Sequence, residues 1–160
     1  MIHALYRYAL RGLLAVFQRV RRLIWSITRP DVHGAHAIAL TPAGRIILVR
    51  LSYAQGWHLP GGGRRSRESA TQNVLRELRE EIGMVAHDDP FLARELQERS
   101  QYRLDHAAIF IIRNVAYRPN RWSIEIEEVI EADLESLPPD LSRRALGWIE
   151  SLRDELRASD

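Results

Sequence analysis

The chain has 160 residues, enough for one domain with a sizeable core and a modest appendage. A hydrophobic fraction of 46% beside a charged fraction of 28% is that of a soluble globular protein and excludes a disordered or fibrous one. Cysteine is absent, which excludes disulfides, thiolate catalysis and zinc–thiolate sites and fits a reducing compartment.

The net charge of +2 hides an uneven distribution. Residues 1–67 carry +10 and residues 68–160 carry −8. The basic pI is therefore no general argument for nucleic-acid binding, and the positive charge has to be read by location.

Residues 2–28 repeat Ile2, Leu5, Tyr6, Ala9, Leu10, Leu13, Val16 and Phe17 at three- and four-residue intervals, and the pattern continues to Ile27. This is the period of an amphipathic helix, with Arg7, Arg11, Arg19, Arg21, Arg22 and Arg29 on the other side. Pro30 ends it. No run approaches the ~20 apolar residues of a membrane span, and Arg11 and Arg19 break up any signal-peptide core. The expected organisation is a basic amphipathic helical extension over 1–30 and a catalytic-type domain over 31–160. The helix has three open readings: packing on its own domain or on a second copy as a homodimer, lying on an anionic membrane surface, or docking a partner or RNA. Nucleic acid is not the expected partner, and the expected location is cytoplasmic, with peripheral membrane contact through residues 2–28 left open.

From Val32 the pattern turns to strands. "AHAIAL" and "RIILVRL" flank the turn signal Thr41–Gly44 and read as a hairpin. Trp57–Pro60 reads as a short extended piece leading to three glycines. A helix is expected from about Glu68 to Ile82, with Gly83 at its C-terminal end. "FLARELQERSQYRL", "HAAIFIIRNVAY" and "RWSIEIEEVIEA" read as strands, and Leu141–Leu156 as a second amphipathic helix. The sum is an α/β domain with helices packed against a mixed sheet.

On a helical wheel Val74, Leu75, Leu78 and Ile82 share a core arc, and Glu77, Glu80 and Glu81 fill the neighbouring arc. Clustered glutamates repel by a few tenths of a kcal/mol per pair. A divalent cation would offset that, because carboxylate oxygens are hard ligands suited to Mg²⁺ or Mn²⁺, which share their remaining positions with water and substrate phosphates. The glycines before the helix let a phosphate or metal approach the main chain.

Gly62, Glu68, Arg76, Glu77, Leu78, Glu80, Glu81, Gly83 and Met84 match the signature G-x5-E-x7-R-E-U-x-E-E-x-G-U, with both spacers intact, over 23 residues. In these positions the chain resembles the Nudix hydrolase family, and the lead-in Trp57-His58-Leu59-Pro60-Gly61 is similar too. The resemblance implies an α/β/α sandwich with a mixed β-sheet, which the N-terminal amphipathic helix would extend. It implies that Glu77, Glu80 and Glu81 bind metal with a main-chain carbonyl near Gly61 or Gly62, while Glu68 and Arg76 support them from behind. A further acidic residue outside the box, Glu125 or Glu128, would act as base or extra ligand. Strand alternation puts Glu125 and Glu127 on one face and Glu128 on the other unless a bulge intervenes. Where the family commonly has an acidic residue and a glycine, this chain has Arg64-Arg65-Ser66-Arg67. These arginines are candidates for gripping an additional substrate phosphate, Trp57 and Tyr53 for stacking on a base, and His58 for meeting substrate. His106 reads as structural.

The implied activity is metal-dependent hydrolysis of a diphosphate linkage in a nucleoside diphosphate derivative, by water attack on phosphorus. Two alternatives stand beside it: an idle Nudix domain used as a binding or membrane-anchored module, and a pyrophosphohydrolase of RNA 5′ ends.

Overall fold

A computed structural model describes residues 31–99, 104–119 and 124–158. The expected helix over 2–28 lies outside these residues. In chain order the elements are β1 (Asp31–Ala39), β2 (Ile46–Leu51), β3 (Trp57–His58), β4 (Gly61–Gly63), α1 (Ala70–Ile82), β5 (Met84–Ala86), β6 (Phe91–Arg99), β7 (Leu104–Ile112), β8 (Ala116–Tyr117), β9 (Ile126–Ala132), α2 (Arg143–Ser151) and α3 (Arg153–Arg157).

The strands form a four-stranded sheet in the order β4-β1-β7-β6, a three-stranded sheet β3-β2-β9 and a small β5-β8 pair. β1 and β7 run parallel and every other pairing is antiparallel, so the large sheet is mixed. The hairpin expected for β1 and β2 does not form. Both edges of β1 are occupied, by β4 and β7, and β2 pairs with β3 and β9 instead. The turn remains, closed by Thr41 N–H to the Arg45 carbonyl at 2.9 Å and a single bridge between Leu40 and Ile46, after which the two strands part into separate sheets.

Period-two alternation sorts β1 into two layers. Ala35, Ala37 and Ala39 face α1, joined there by Phe110 and Ile112 of β7 and by Val74, Leu78 and Ile82 of the helix. Ile38, Leu40, Ile109 and Ile111 face the opposite layer, where Trp148, Ile149 and Leu152 close the core. Full burial of an aliphatic side chain contributes about 1.5–3 kcal/mol. Three such residues anchor α1 well against glutamate repulsions of ~0.2–0.5 kcal/mol per pair.

The helix starts two residues later than the periodicity suggests, at Ala70. Ser69 caps it, accepting from Gln72 N–H at 3.1 Å while the Gln72 amide oxygen accepts from Ser69 N–H at 2.9 Å. It ends at Gly83, which is left-handed. The C-terminal helix expected over Leu141–Leu156 is broken at Leu152, whose backbone at φ −118°, ψ 14° leaves the helical region and separates α2 from α3. Among the described residues no helix is long and apolar enough to cross a membrane.

Candidate active site

β4 and α1 lie side by side, so successive helix residues on one stripe meet successive glycines. Asn73 Nδ2 donates to the Gly63 carbonyl at 3.2 Å, Glu77 sits against Gly62, and Glu81 accepts the Gly61 N–H at 2.8 Å. Gly62 lets the Glu77 carboxylate come close: a Cβ there would stand 2.8 Å from Glu77 Oε1, so the carboxylate would have to shift. Gly61 adopts φ +143°, and a Cβ on it would collide with the Ala35 carbonyl.

Arg76 gathers the acids around this stripe. Its Nε and Nη2 reach Glu68 at 2.8 and 3.2 Å, Nη1 reaches Glu77 at 2.8 Å and Glu80 at 2.9 Å, and Nη2 also donates to the Gly63 carbonyl at 3.2 Å. That bond set, led by the Arg76 hydrogen bond and helped by the Arg65 amide, holds the Glu68 carboxyl down at about 2. The Arg76 guanidinium is raised in turn. Arg65 points at Glu80, with Nη2 to Oε1 at 3.1 Å.

Glu81 is buried rather than at the border of the core, and burial pushes its carboxyl up to about 8; the charges of Glu77, Glu125 and Glu80 add to this and the Gly61 amide opposes it. Glu77 is raised as well, chiefly by burial, with Arg76 acting against the shift. Glu125 belongs to the same cluster: it precedes β9, its carbonyl accepts the Ser52 N–H at 2.8 Å, and its charge acts on both Glu77 and Glu81. A bulge does intervene in β9. Arg50 faces Glu128 and Leu51 faces Ile126, leaving Glu127 as the extra residue. Glu128 is directed to Arg50, 3.7 Å away, on the face that carries Leu48 and Ile130 and away from α1.

The other candidates divide. Trp57 is buried with the Arg50 guanidinium 4.3 Å over its ring. His58 Nε2 lies 3.0 Å from the Gln55 carbonyl. Arg64 and Arg67 are exposed, and Arg67 takes φ +66°, the left-handed region that favours glycine. His106 stacks on His33. Sequence reading passed over Asn73. It is fully buried, one turn before Glu77, and its Oδ1 has no hydrogen-bond partner. Its i−4 spacing from Glu77 was the available signal.

The donor set fits a hard divalent cation. Oxygen donors are gathered along one stripe of α1, Glu77 and Glu81 hold protons more tightly than free carboxyls, and the buried Asn73 Oδ1 lacks a hydrogen-bond partner. Among the described residues no three acidic or imidazole groups form a finished cage. Arg76 draws the carboxylates of Glu77 and Glu80 onto its guanidinium instead.

The profile of the NUDIX domain family matches residues 31–151. The chain belongs to the Nudix family. Over 76% of its length this Nudix domain superposes on 97% of a MutT NUDIX hydrolase from Burkholderia pseudomallei, with a TM-score of 0.66 and 24% identity. It covers 98% of a MutT protein from Methanosarcina mazei over 82% of its own length, with a TM-score of 0.64 and 25% identity. Among curated proteins it is 35% identical over 66 residues to an RNA pyrophosphohydrolase of Hydrogenovibrio crunogenus, a match that spans 41% of this chain and 38% of that protein. The fold is thus the Nudix α/β fold with a mixed sheet, and the Nudix box is the loop and helix that carry Glu68, Glu77, Glu80 and Glu81.

Proposed function

We propose that this Nudix domain hydrolyses the diphosphate linkage of a nucleoside diphosphate derivative, releasing two phosphate-bearing products. The observation that carries the reading is the gathering of Glu77, Glu80, Glu81 and Glu125 beside a glycine strand, where Glu81 accepts the Gly61 N–H and Glu77 lies against Gly62. Mg²⁺ or Mn²⁺ held by Glu77, Glu80 and Glu81 with a carbonyl at Gly61 or Gly62 would neutralise the diphosphate and acidify a water.

The chain's own groups do the rest. Arg76 ties Glu68, Glu77 and Glu80 to one guanidinium and to the Gly63 carbonyl, which fixes the helix against the loop. Glu81 stays protonated near neutral pH until a cation replaces its proton, so the free site avoids stacking four full negative charges. Glu125 is exposed at the edge of the cluster and is the carboxylate we assign to taking the proton of the attacking water. Gly61 and Gly62 bring the main chain directly against the Glu81 and Glu77 carboxylates.

The test is a substrate screen with Mg²⁺ and Mn²⁺ over ADP-ribose, nucleoside triphosphates, dinucleoside polyphosphates and sugar nucleotides, in ¹⁸O-labelled water with products resolved by phosphorus NMR. Label on one phosphate product is expected. Absence of turnover across all classes, or full turnover by Glu81→Gln, would overturn the reading.

A second reading is removal of pyrophosphate from RNA 5′ ends. It is favoured by the name of the curated relative and by the exposed Arg64 and Arg67 beside the box. It requires binding of a 5′-triphosphorylated oligonucleotide that weakens steeply with salt. Salt-insensitive binding, or none, removes it.

A further inference from the structure

A cavity of about 480 Å³ opens on the large sheet beside the first residue of α1, Ala70, and none of the four clustered glutamates lines it. That volume is within the ~300–1,000 Å³ of small-molecule sites. One wall is a row across four strands. The Arg64 amide, just after β4, donates to the His33 carbonyl of β1 at 2.8 Å; His33 faces His106 of β7, and His106 faces Gln97 of β6. Glu95 lies two residues along β6 from Gln97 and so shares its face. The imidazoles of His33 and His106 stack, with centroids 4.4 Å apart and planes 12° apart. Arg64, Glu95 and Gln97 are exposed to the cavity's solvent.

The row therefore holds, in order, a guanidinium, two stacked flat rings and an amide, with a carboxylate alongside. Each matches one part of a single ligand. Flat rings stack on a base, an amide can bond the N6/N7 edge of adenine in two-point fashion, a carboxylate accepts from ribose hydroxyls, and a guanidinium grips a phosphate. A bare anion fits poorly, because Glu95 would repel it.

We propose that this cavity is a second nucleotide site, taking a purine nucleoside 5′-monophosphate with its base against His106 and Gln97, its ribose on Glu95 and its phosphate on Arg64. Binding there needs neither metal nor the box glutamates, so it stands or falls apart from the hydrolytic reading.

The test is calorimetric titration of the full chain with AMP, adenosine and inorganic phosphate, each in EDTA. AMP binds more tightly than adenosine or phosphate. Gln97→Ala, Glu95→Ala and His106→Ala each weaken AMP by about tenfold, while His106→Phe, which keeps a flat ring, restores it. Arg64→Ala weakens AMP and leaves adenosine unchanged, and Glu81→Gln binds AMP as the parent does. Thermal melts confirm that each variant is folded. No AMP binding at millimolar concentration overturns the proposal. So does AMP binding that Glu81→Gln abolishes and Gln97→Ala spares, or inorganic phosphate binding as tightly as AMP.

Discussion

Arg76 and Glu68 form a two-point bridge across the loop, Nε to Oε1 at 2.8 Å and Nη2 to Oε2 at 3.2 Å, and both side chains are largely shielded from solvent. A lysine has no fork and can satisfy one of these oxygens while abandoning Glu77, Glu80 or the Gly63 carbonyl. Charge-assisted hydrogen bonds contribute about 1.5–3 kcal/mol each. Arg76→Lys is expected near the lower end of that range, since the site is partly open to water. Urea denaturation measures it, and an unchanged midpoint would refute the role given to Arg76.

The same bridge sets an acid limit. The Glu68 carboxyl is held at about 2, below its ordinary 4.5, so the ionised form is favoured in the fold. Its stabilisation is complete above pH 4.5 and is lost as pH falls towards 2. Glu68→Gln should therefore be less stable than the parent at pH 6, with the difference shrinking below pH 4.5. Melting temperatures across that range decide it; a pH-independent difference contradicts the assignment.

Glu81 has the opposite sign. Its carboxyl is pushed up to about 8 in the folded chain and titrates near 4.5 when unfolded. Between those values the folded state holds a proton that the unfolded state has released, so metal-free stability falls as pH rises from 4.5 to 8. Glu81→Gln keeps an acceptor for the Gly61 amide and removes the titration. In EDTA at pH 8 the variant is expected to melt higher than the parent, and the gap should close by pH 4.5. Adding Mg²⁺ or Mn²⁺ should stabilise the parent and not the variant. Equal melting in EDTA at both pH values would show that burial of Glu81 carries no such cost.

Much of this site could be read from residues alone because it is local. The box helix, its glycine stop and the border between apolar and acidic arcs all follow from spacing within 23 residues. Pairing is not local. β1 and β2 each alternate as strands and are joined by a proper turn, yet β1 is claimed on both edges by β4 and β7, one of them some 70 residues away in sequence. The faces taken by Glu125 and Glu128 also depended on pairing, through the bulge in β9 between the Arg50–Glu128 and Leu51–Ile126 pairs. Asn73 was overlooked because an amide on a helix reads as surface until its neighbours, Gly63 and Glu77, are known.

A side chain at Gly62 is expected to displace the Glu77 carboxylate while leaving the fold in place. In Gly62→Ala the new Cβ would stand 2.8 Å from Glu77 Oε1 and 2.9 Å from its carboxyl carbon, so the carboxylate must move. Displacements of about 1 Å at a reacting centre cost on the order of 10²-fold in rate. The prediction is a loss of kcat of that order with a far-ultraviolet circular dichroism spectrum like the parent's. Retained kcat would show that Glu77 does not need its present position.

Arg67 occupies the left-handed region at φ +66° without being glycine. That conformation costs a non-glycine residue about 1–2 kcal/mol, while glycine loses about 0.4–1 kcal/mol through the greater freedom of its unfolded chain. Arg67→Gly is therefore expected to raise stability by roughly 0.5–1 kcal/mol, the difference between the two effects. Arg67 is exposed, so little packing is lost with the side chain. If the variant is more stable and also has a raised KM for its substrate, the strain is retained for contact with that substrate, in line with the general use of strained backbone at functional sites. If it is more stable with unchanged KM, Arg67 is a solvated residue in an unfavourable position. A variant less stable than the parent would contradict the account of this loop, because the exposed Arg67 side chain is given no stabilising contact to lose.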